Sequence, residues 1–394
     1  MNKIHIRLLG SRTGRYIQLL LPAVLLSFYA SGQPQVNKDR TVTFRVFAPG
    51  ADSVKLEGDL IMELTNKYDF SADNSTHLTM GPDGTWSVTL GPLPDGPYLY
   101  NISIDGRAGP DPANFRIFIG QKYRKSIVLV NTPAKSGIWE TQNVEHGTVH
   151  RHTFYSEVSK SMSELFVYTP PGYEESNMAY PVLYLLHGRG EKADSWLQAG
   201  FVDNICDNLI ASGKAEKSII VMPFGWVIPG DAPQAEIINM LMPNLEKEMF
   251  THIIPLIERS YRVITEPDGN AIAGFSLGGA QTAYIGFRHP EKFSSVAVLS
   301  AGLPDFEKEF KNITDNPVLT NGNYKFLLLC SGSRDNIGPG GSSIDGQKRL
   351  NSLLEQKGIR HLFYEMPDGG HTWKAWRYYF GEKLLPNLFK DNLP

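Results

Sequence analysis

In the stretch AIAGFSLGGA (271–280) one serine sits between glycines, and Gly274-Phe275-Ser276-Leu277-Gly278 satisfies the pattern G-x-S-x-G. An apolar strand-like run leads into it and a small-residue helical run, GGAQTAYIGF, leads out. That setting is the sharp strand-to-helix turn that exposes a serine hydroxyl at the end of a sheet. A hydroxyl is a weak nucleophile at neutral pH, so it needs a base to take its proton and a third group to orient that base. Downstream stand His289, His361 and His371. His289 closes a helix in RHPEKF and His361 opens a strand, whereas His371 lies in the loop PDGGHTW (367–373), whose glycines let the chain bend the ring toward a serine. His371 is therefore the expected base. For the acid, Asp335 follows the strand-like KFLLLCSG in the loop SRDN; Asp305 sits one strand earlier, and Asp368 is too near His371 along the chain to orient it. Asp335 is the expected acid. Acyl transfer also requires two N–H donors for the oxyanion, each worth about 100- to 1000-fold in rate. The N–H of Leu277, directly after the serine, is one candidate; the second comes from the loop His187-Gly188-Arg189-Gly190, at Arg189 with Gly190 next in line. His187 reads as a structural hydrogen-bonding residue. These parts are enough for ester hydrolysis through an acyl-enzyme, with no metal and no organic cofactor in the expected chemistry.

Such loops need strand ends to hold them on one edge of a sheet. Strand-like runs recur at 165–171, 180–188, 218–225, 270–276, 294–302, 324–332 and 361–370, alternating with helical stretches. Runs such as VLYLL and KFLLLC are continuously apolar, as strands buried on both faces are, which predicts an α/β fold with a parallel sheet. Nearer the N-terminus the texture differs: TVTFRVFAPGADSVKLEGD and GPDGTWSVTLGPLPDGPYLYNISIDG alternate apolar and polar residues between Pro-Gly and Asp-Gly turns, which predicts a β-sandwich. The polar NTPAKSG (131–137) separates the two textures. The expected domains are a signal peptide at 1–32, a sandwich at 33–131, a linker at 132–146 and a hydrolase domain at 147–394. Lys3, Arg7, Arg12 and Arg15 precede the apolar run 17–29, and Ala30-Ser31-Gly32 supplies small residues for cleavage, so a secreted or periplasmic protein with no membrane span after signal cleavage is expected. The 394 residues are 41% hydrophobic and 20% charged with a net charge of -3, ordinary for a globular protein and without the basic excess of a nucleic-acid binder. Cys206 and Cys330 fall in different elements and are expected as buried free thiols. His146, His150 and His152 have no carboxylate or cysteine at metal-ligand spacing, so they are read as part of an ordinary strand. Oligomeric state is not legible.

Two resemblances add to this reading. FRVFAPGADSVKLEGD with DGTWSVTLGPLPDGPYLYNISIDG resembles the immunoglobulin-like N-terminal domain of glycogen-branching enzymes and isoamylases, the family 48 carbohydrate-binding module, over most of residues 38–115. Trp86 and Tyr98 are read there as core packing, and no sugar site is assigned to the domain. LLHGRGEKADSW, AGFSLGGAQT, CSGSRDN and GGHTWKAWR, in that order, resemble carbohydrate esterase family 1, the feruloyl and acetyl-xylan esterases related to esterase D. The resemblance implies an α/β-hydrolase fold with Ser276, Asp335 and His371 as nucleophile, acid and base, and Trp376 as packing support. Arg189 departs from the small or apolar residue common at its position in relatives, and a cation there is suited to an acidic or sugar part of a substrate. The implied function is removal of feruloyl groups, ahead of acetyl, from an acylated plant polysaccharide or oligosaccharide such as arabinoxylan. Trp196, Phe224 and Trp373 are the candidate walls of an aromatic acyl pocket. The competing readings are a siderophore esterase of the enterobactin type and a non-catalytic glycan-binding protein that keeps the hydrolase shape.

Overall fold

The computed structural model describes residues 33–68, 72–131, 137–303, 306–337 and 342–390. The expected signal peptide lies outside them, as does Asp305. Eight strands build one sheet: β1 (Thr148–Ser156), β2 (Ser161–Thr169), β3 (Val182–Leu186), β4 (Ile219–Pro223), β5 (Asn270–Phe275), β6 (Ser295–Leu299), β7 (Phe326–Gly332) and β8 (Leu362–Met366). Their spatial order is β1-β2-β4-β3-β5-β6-β7-β8; β2 runs antiparallel to both of its neighbours and β3 to β8 are mutually parallel. The parallel part fits the continuous apolar runs, because β3, β4, β5, β6 and β7 are buried along their whole length.

Strand periodicity sends alternate side chains to opposite faces. Val182, Tyr184 and Leu186 of β3 join one core with Leu245, Ala283, Ile285 and Leu350, which come from α2 (Ile237–Glu248), α3 (Leu277–Gly286) and α4 (Ser343–Gln356). Leu183 and Leu185 join the other core with Val202 and Ile205 of α1 (Val202–Ala211) and Trp373 and Trp376 of α5 (Trp373–Tyr378). Cys206 and Cys330 lie in this second core as free thiols, and burial pushes both thiol pKa values up.

The N-terminal region is a sandwich of two antiparallel sheets. One contains Gln35–Val36, Val42–Phe47, Thr79–Met80 and Thr85–Leu90; the other contains Val54–Gly58, Ser75–His77, Gly96–Ile104, Arg107–Gly109, Ile117–Ile119 and Arg124–Val130. Phe44, Trp86, Leu56, Tyr98, Tyr100 and Val128 from both sheets share one core, so Trp86 and Tyr98 sit where the pattern placed them. The sandwich also packs against the eight-stranded sheet. Leu99, Phe118 and Ile127 are buried in the same cluster as Trp373, Trp196 and Phe275. Each such side chain contributes about 1.5–3 kcal/mol of burial, so the seam between the two units is a continuous apolar core. Residues 137–144 are likewise tied down: Trp139 is buried against Phe201, and Asn208 of α1 donates to the carbonyls of Ile138 and Glu140 at 2.7 and 2.8 Å.

Candidate active site

Ser276 stands between the end of β5 and the start of α3 with φ 55° and ψ -121°, a left-handed-side backbone that a non-glycine residue adopts only under constraint. Close packing supplies that constraint. A Cβ on Gly274 would fall 2.6 Å from the Gly278 carbonyl, and one on Gly278 would fall 2.5 Å from the His187 carbonyl, so both pattern positions require glycine. The turn leaves the Leu277 N–H at the first position of α3, where an α-helix offers no acceptor of its own.

His371 closes on the serine. Its Nε2 lies 2.9 Å from Ser276 Oγ and its Nδ1 lies 2.9 Å from Asp335 Oδ1. A carboxylate only accepts, so Nδ1 carries the proton and Nε2 accepts from the serine hydroxyl. Asp335 is fully buried and also faces the Ser331 hydroxyl at 3.5 Å. Trp376 meets the His371 ring edge-to-face at 5.0 Å and stacks on Phe275 at 3.9 Å, which fixes the imidazole plane. The other histidines are elsewhere: His289 bonds Glu246 and Glu291, His361 bonds Asn351, and Asp368 is exposed and paired with Arg334.

The loop after β3 lies across from the serine. His187 is buried, accepts from the Gly225 N–H at 2.9 Å through Nε2 and donates from Nδ1 to the Gly188 carbonyl at 2.8 Å. Burial depresses its pKa to about 4, so it is a neutral structural ring. The sandwich holds the rest of this loop. Gln121 donates from its backbone N–H to the Gly190 carbonyl at 2.8 Å and from Nε2 to the Glu191 carbonyl at 2.9 Å. A second brace holds the histidine loop: the sandwich residue Tyr68 packs its ring on Gly370, where any Cβ would overlap it, while Glu63 accepts from Tyr68 and pairs with Lys374 at 2.5 Å.

Ser276, Leu277, Arg189 and His371 line a cavity of about 610 Å³. Trp373 lines it too, with Phe275 and Trp376, and Ile238, Leu241 and Met242 of α2 form an apolar wall. Two expected wall residues are not there. Trp196 is fully buried in the core, where its indole N–H donates to the Leu186 carbonyl at 3.1 Å, because the short helix Ser195–Gln198 turns the ring inward. Phe224 packs on the His187 ring and borders a separate groove at the domain seam. The cavity instead takes Asp59, Leu99, Tyr123 and Lys125 from the sandwich, which no motif marked. Among the described residues no cluster of His, Cys, Asp or Glu is arranged to hold a metal ion.

Residues 156–385 match the Esterase family model. The chain belongs to this esterase family. Over 366 residues it is 29% identical to an endo-1,4-beta-xylanase/feruloyl esterase of Xylanibacter ruminicola, covering 91% of this chain and 46% of that protein. It is 27% identical over 252 residues to an esterase of Mycobacterium tuberculosis, covering 53% of this chain and 52% of the other. The esterase thus spans about half the length of these curated relatives. Among solved structures, a ferulic acid esterase of the family CE1 from the anaerobic fungus Anaeromyces mucronatus, in complex with ferulic acid, superposes with a TM-score of 0.53 at 25% identity over 64% of this chain and 93% of that one. The enterobactin esterase from Shigella flexneri superposes with a TM-score of 0.64 at 16% identity over 89% and 92% of the two chains, a likeness of fold that spans both of the units seen here. Within the described residues no helix is long and apolar enough to cross a membrane.

Proposed function

We propose that this esterase is a serine carboxylester hydrolase that removes feruloyl groups, and less readily acetyl groups, from plant cell-wall polysaccharide such as arabinoxylan. The observation that carries the proposal is the chain Ser276 Oγ to His371 Nε2 and His371 Nδ1 to Asp335 Oδ1, 2.9 Å at each step, opening into a cavity with aromatic walls. In this reading Ser276 attacks the ester carbonyl as His371 takes its proton. The oxyanion forms against the N–H groups of Leu277 and Arg189. His371 then protonates the leaving alcohol, and a water activated by the same ring releases the acid. Asp335 holds the tautomer and stabilises the imidazolium. The family match and the feruloyl esterase relatives support the ester chemistry, and the lysine- and arginine-led apolar N-terminus supports export to the periplasm or medium.

The test is hydrolysis of methyl ferulate and release of ferulate from arabinoxylan by the wild type and by Ser276→Ala. The variant is expected to lose turnover with its circular dichroism unchanged; near-normal turnover sinks the proposal. The shared two-unit layout with the enterobactin esterase favours a second reading, hydrolysis of a catecholate trilactone. Faster cleavage of such a trilactone than of feruloylated xylan oligosaccharides decides for it.

A further inference from the structure

At the seam between sandwich and hydrolase sheet, the cavity is lined by titratable side chains besides those of Ser276 and His371. Asp59 is 7% exposed and accepts from the Leu99 N–H at 3.3 Å; Glu191 is 5% exposed and Trp373 2%. Tyr123 and the half-buried Lys125 complete the group. These residues feel one another's charge: Lys125 favours ionised Asp59, and Asp59 disfavours ionised Glu191. Burial is the larger effect for both acids, and it holds the Glu191 carboxyl up at about 8, so near neutral pH Glu191 is a hydrogen-bond donor as well as an acceptor. The Trp373 indole N–H faces the Glu191 carboxyl and, with the Gly188 N–H, favours its ionised form, so these polar groups meet one another at the cavity wall. A neutral carboxyl keeps an O–H donor besides its acceptor capacity, so one indole does not exhaust what Glu191 offers to the cavity. Ile238, Leu241 and Met242, which also line the cavity, offer no such groups from their side chains.

Resting on the feruloyl reading above, we propose that Glu191 and Trp373, with Asp59 and Lys125 contributed by the sandwich, form a polar recess that binds the phenolic hydroxyl of an aromatic acyl group. The aromatic ring lies along Phe275 and Trp376 while its oxygen exchanges hydrogen bonds with the recess. The N-terminal unit is thereby a specificity-determining part of the acyl site.

The experiment compares kcat/KM for methyl ferulate, methyl p-coumarate and methyl cinnamate, which lacks ring oxygens, with 4-nitrophenyl acetate as a further substrate. The full-length wild type is expected to favour the two phenolic esters over methyl cinnamate by about 10- to 100-fold, the effect of pairing buried polar groups with a substrate hydroxyl. In Glu191→Leu and in Lys125→Met this ratio is expected to fall to within about threefold of unity, with Glu191→Gln retaining part of it. Because Glu191 sits on a braced loop, Lys125→Met from the other unit serves as the second variant if Glu191→Leu does not fold. Equal loss on phenolic and plain esters, or a wild-type ratio near unity, overturns the recess while leaving the feruloyl reading standing. Turnover of 4-nitrophenyl acetate without turnover of any hydroxycinnamoyl ester overturns both.

Discussion

Gln121→Ala tests whether the sandwich positions the oxyanion loop. The side chain donates one hydrogen bond, from Nε2 to the Glu191 carbonyl at 2.9 Å, two residues beyond the Arg189 amide assigned above to the oxyanion. The backbone bond from Gln121 to Gly190 at 2.8 Å survives the substitution, so the loop loses one of two ties and keeps its path. One neutral hydrogen bond contributes about 0.5–1.5 kcal/mol net. At about 1.4 kcal/mol per factor of ten, loosening of that size lowers kcat by roughly 2- to 12-fold. Removal of an oxyanion donor outright costs about 100- to 1000-fold, which sets the ceiling. The assay is steady-state hydrolysis of 4-nitrophenyl acetate, whose small acyl group makes few contacts with the pocket walls, so the loss should fall on kcat with KM held within about twofold. A kcat within 1.5-fold (about the assay scatter) of the wild type refutes the brace, since the bond would then do nothing for the transition state. A fall in kcat/KM carried by KM alone refutes it as well, because that would mark Gln121 as a ground-state contact.

Two further outcomes follow from the same geometry. Asp335→Asn keeps the shape beside His371 Nδ1 but offers an amide where a carboxylate accepted, so kcat for methyl ferulate is expected to fall about 10⁴-fold with KM little changed; a fall under tenfold removes Asp335 from the orienting role. Glu191 gives a stability signature. Its folded pKa is raised to about 8 by burial, so its contribution is fully present below the ordinary carboxyl range and is lost as pH rises through about 8. Wild type should therefore lose stability relative to Glu191→Gln between about pH 4.5 and pH 8, by at most about 1.4 kcal/mol per pH unit, read as a growing Tm difference. A Tm difference that stays flat across this range contradicts a protonated Glu191.

How much was legible in the sequence depends on how local each feature is. The β5-to-α3 turn was readable because its constraint is local: Gly274 and Gly278 are dictated by backbone approaches of 2.6 and 2.5 Å around Ser276, and only glycine satisfies them. His371 and Asp335 were readable because each lies in a loop at the C-terminal end of a strand whose apolar run was unmistakable. The structure brings both to the serine, and it also explains why Gly370 precedes His371, since the ring of Tyr68 occupies that space.

Trp196 and Phe224 mark the limit. A tryptophan in a loop-like stretch, ADSW, carries no sign of which way its ring will point, and here a single helical turn sends it into the core. The sandwich's part in the site was equally hidden. Asp59, Tyr123 and Lys125, which line the cavity, and Gln121, which ties the loop at Gly190 and Glu191, are spaced along a β domain with no motif, and they come to the site only because Leu99, Phe118 and Ile127 bury their side chains in the hydrolase core. Sequence by itself determined the serine turn, its histidine and acid, and the two textures of the chain, because backbone sterics and strand periodicity are written in neighbouring residues. The docking of one unit on the other, and with it the polar wall of the cavity, was decided only by tertiary packing, because burial across a domain seam depends on surfaces brought together from residues far apart in the chain.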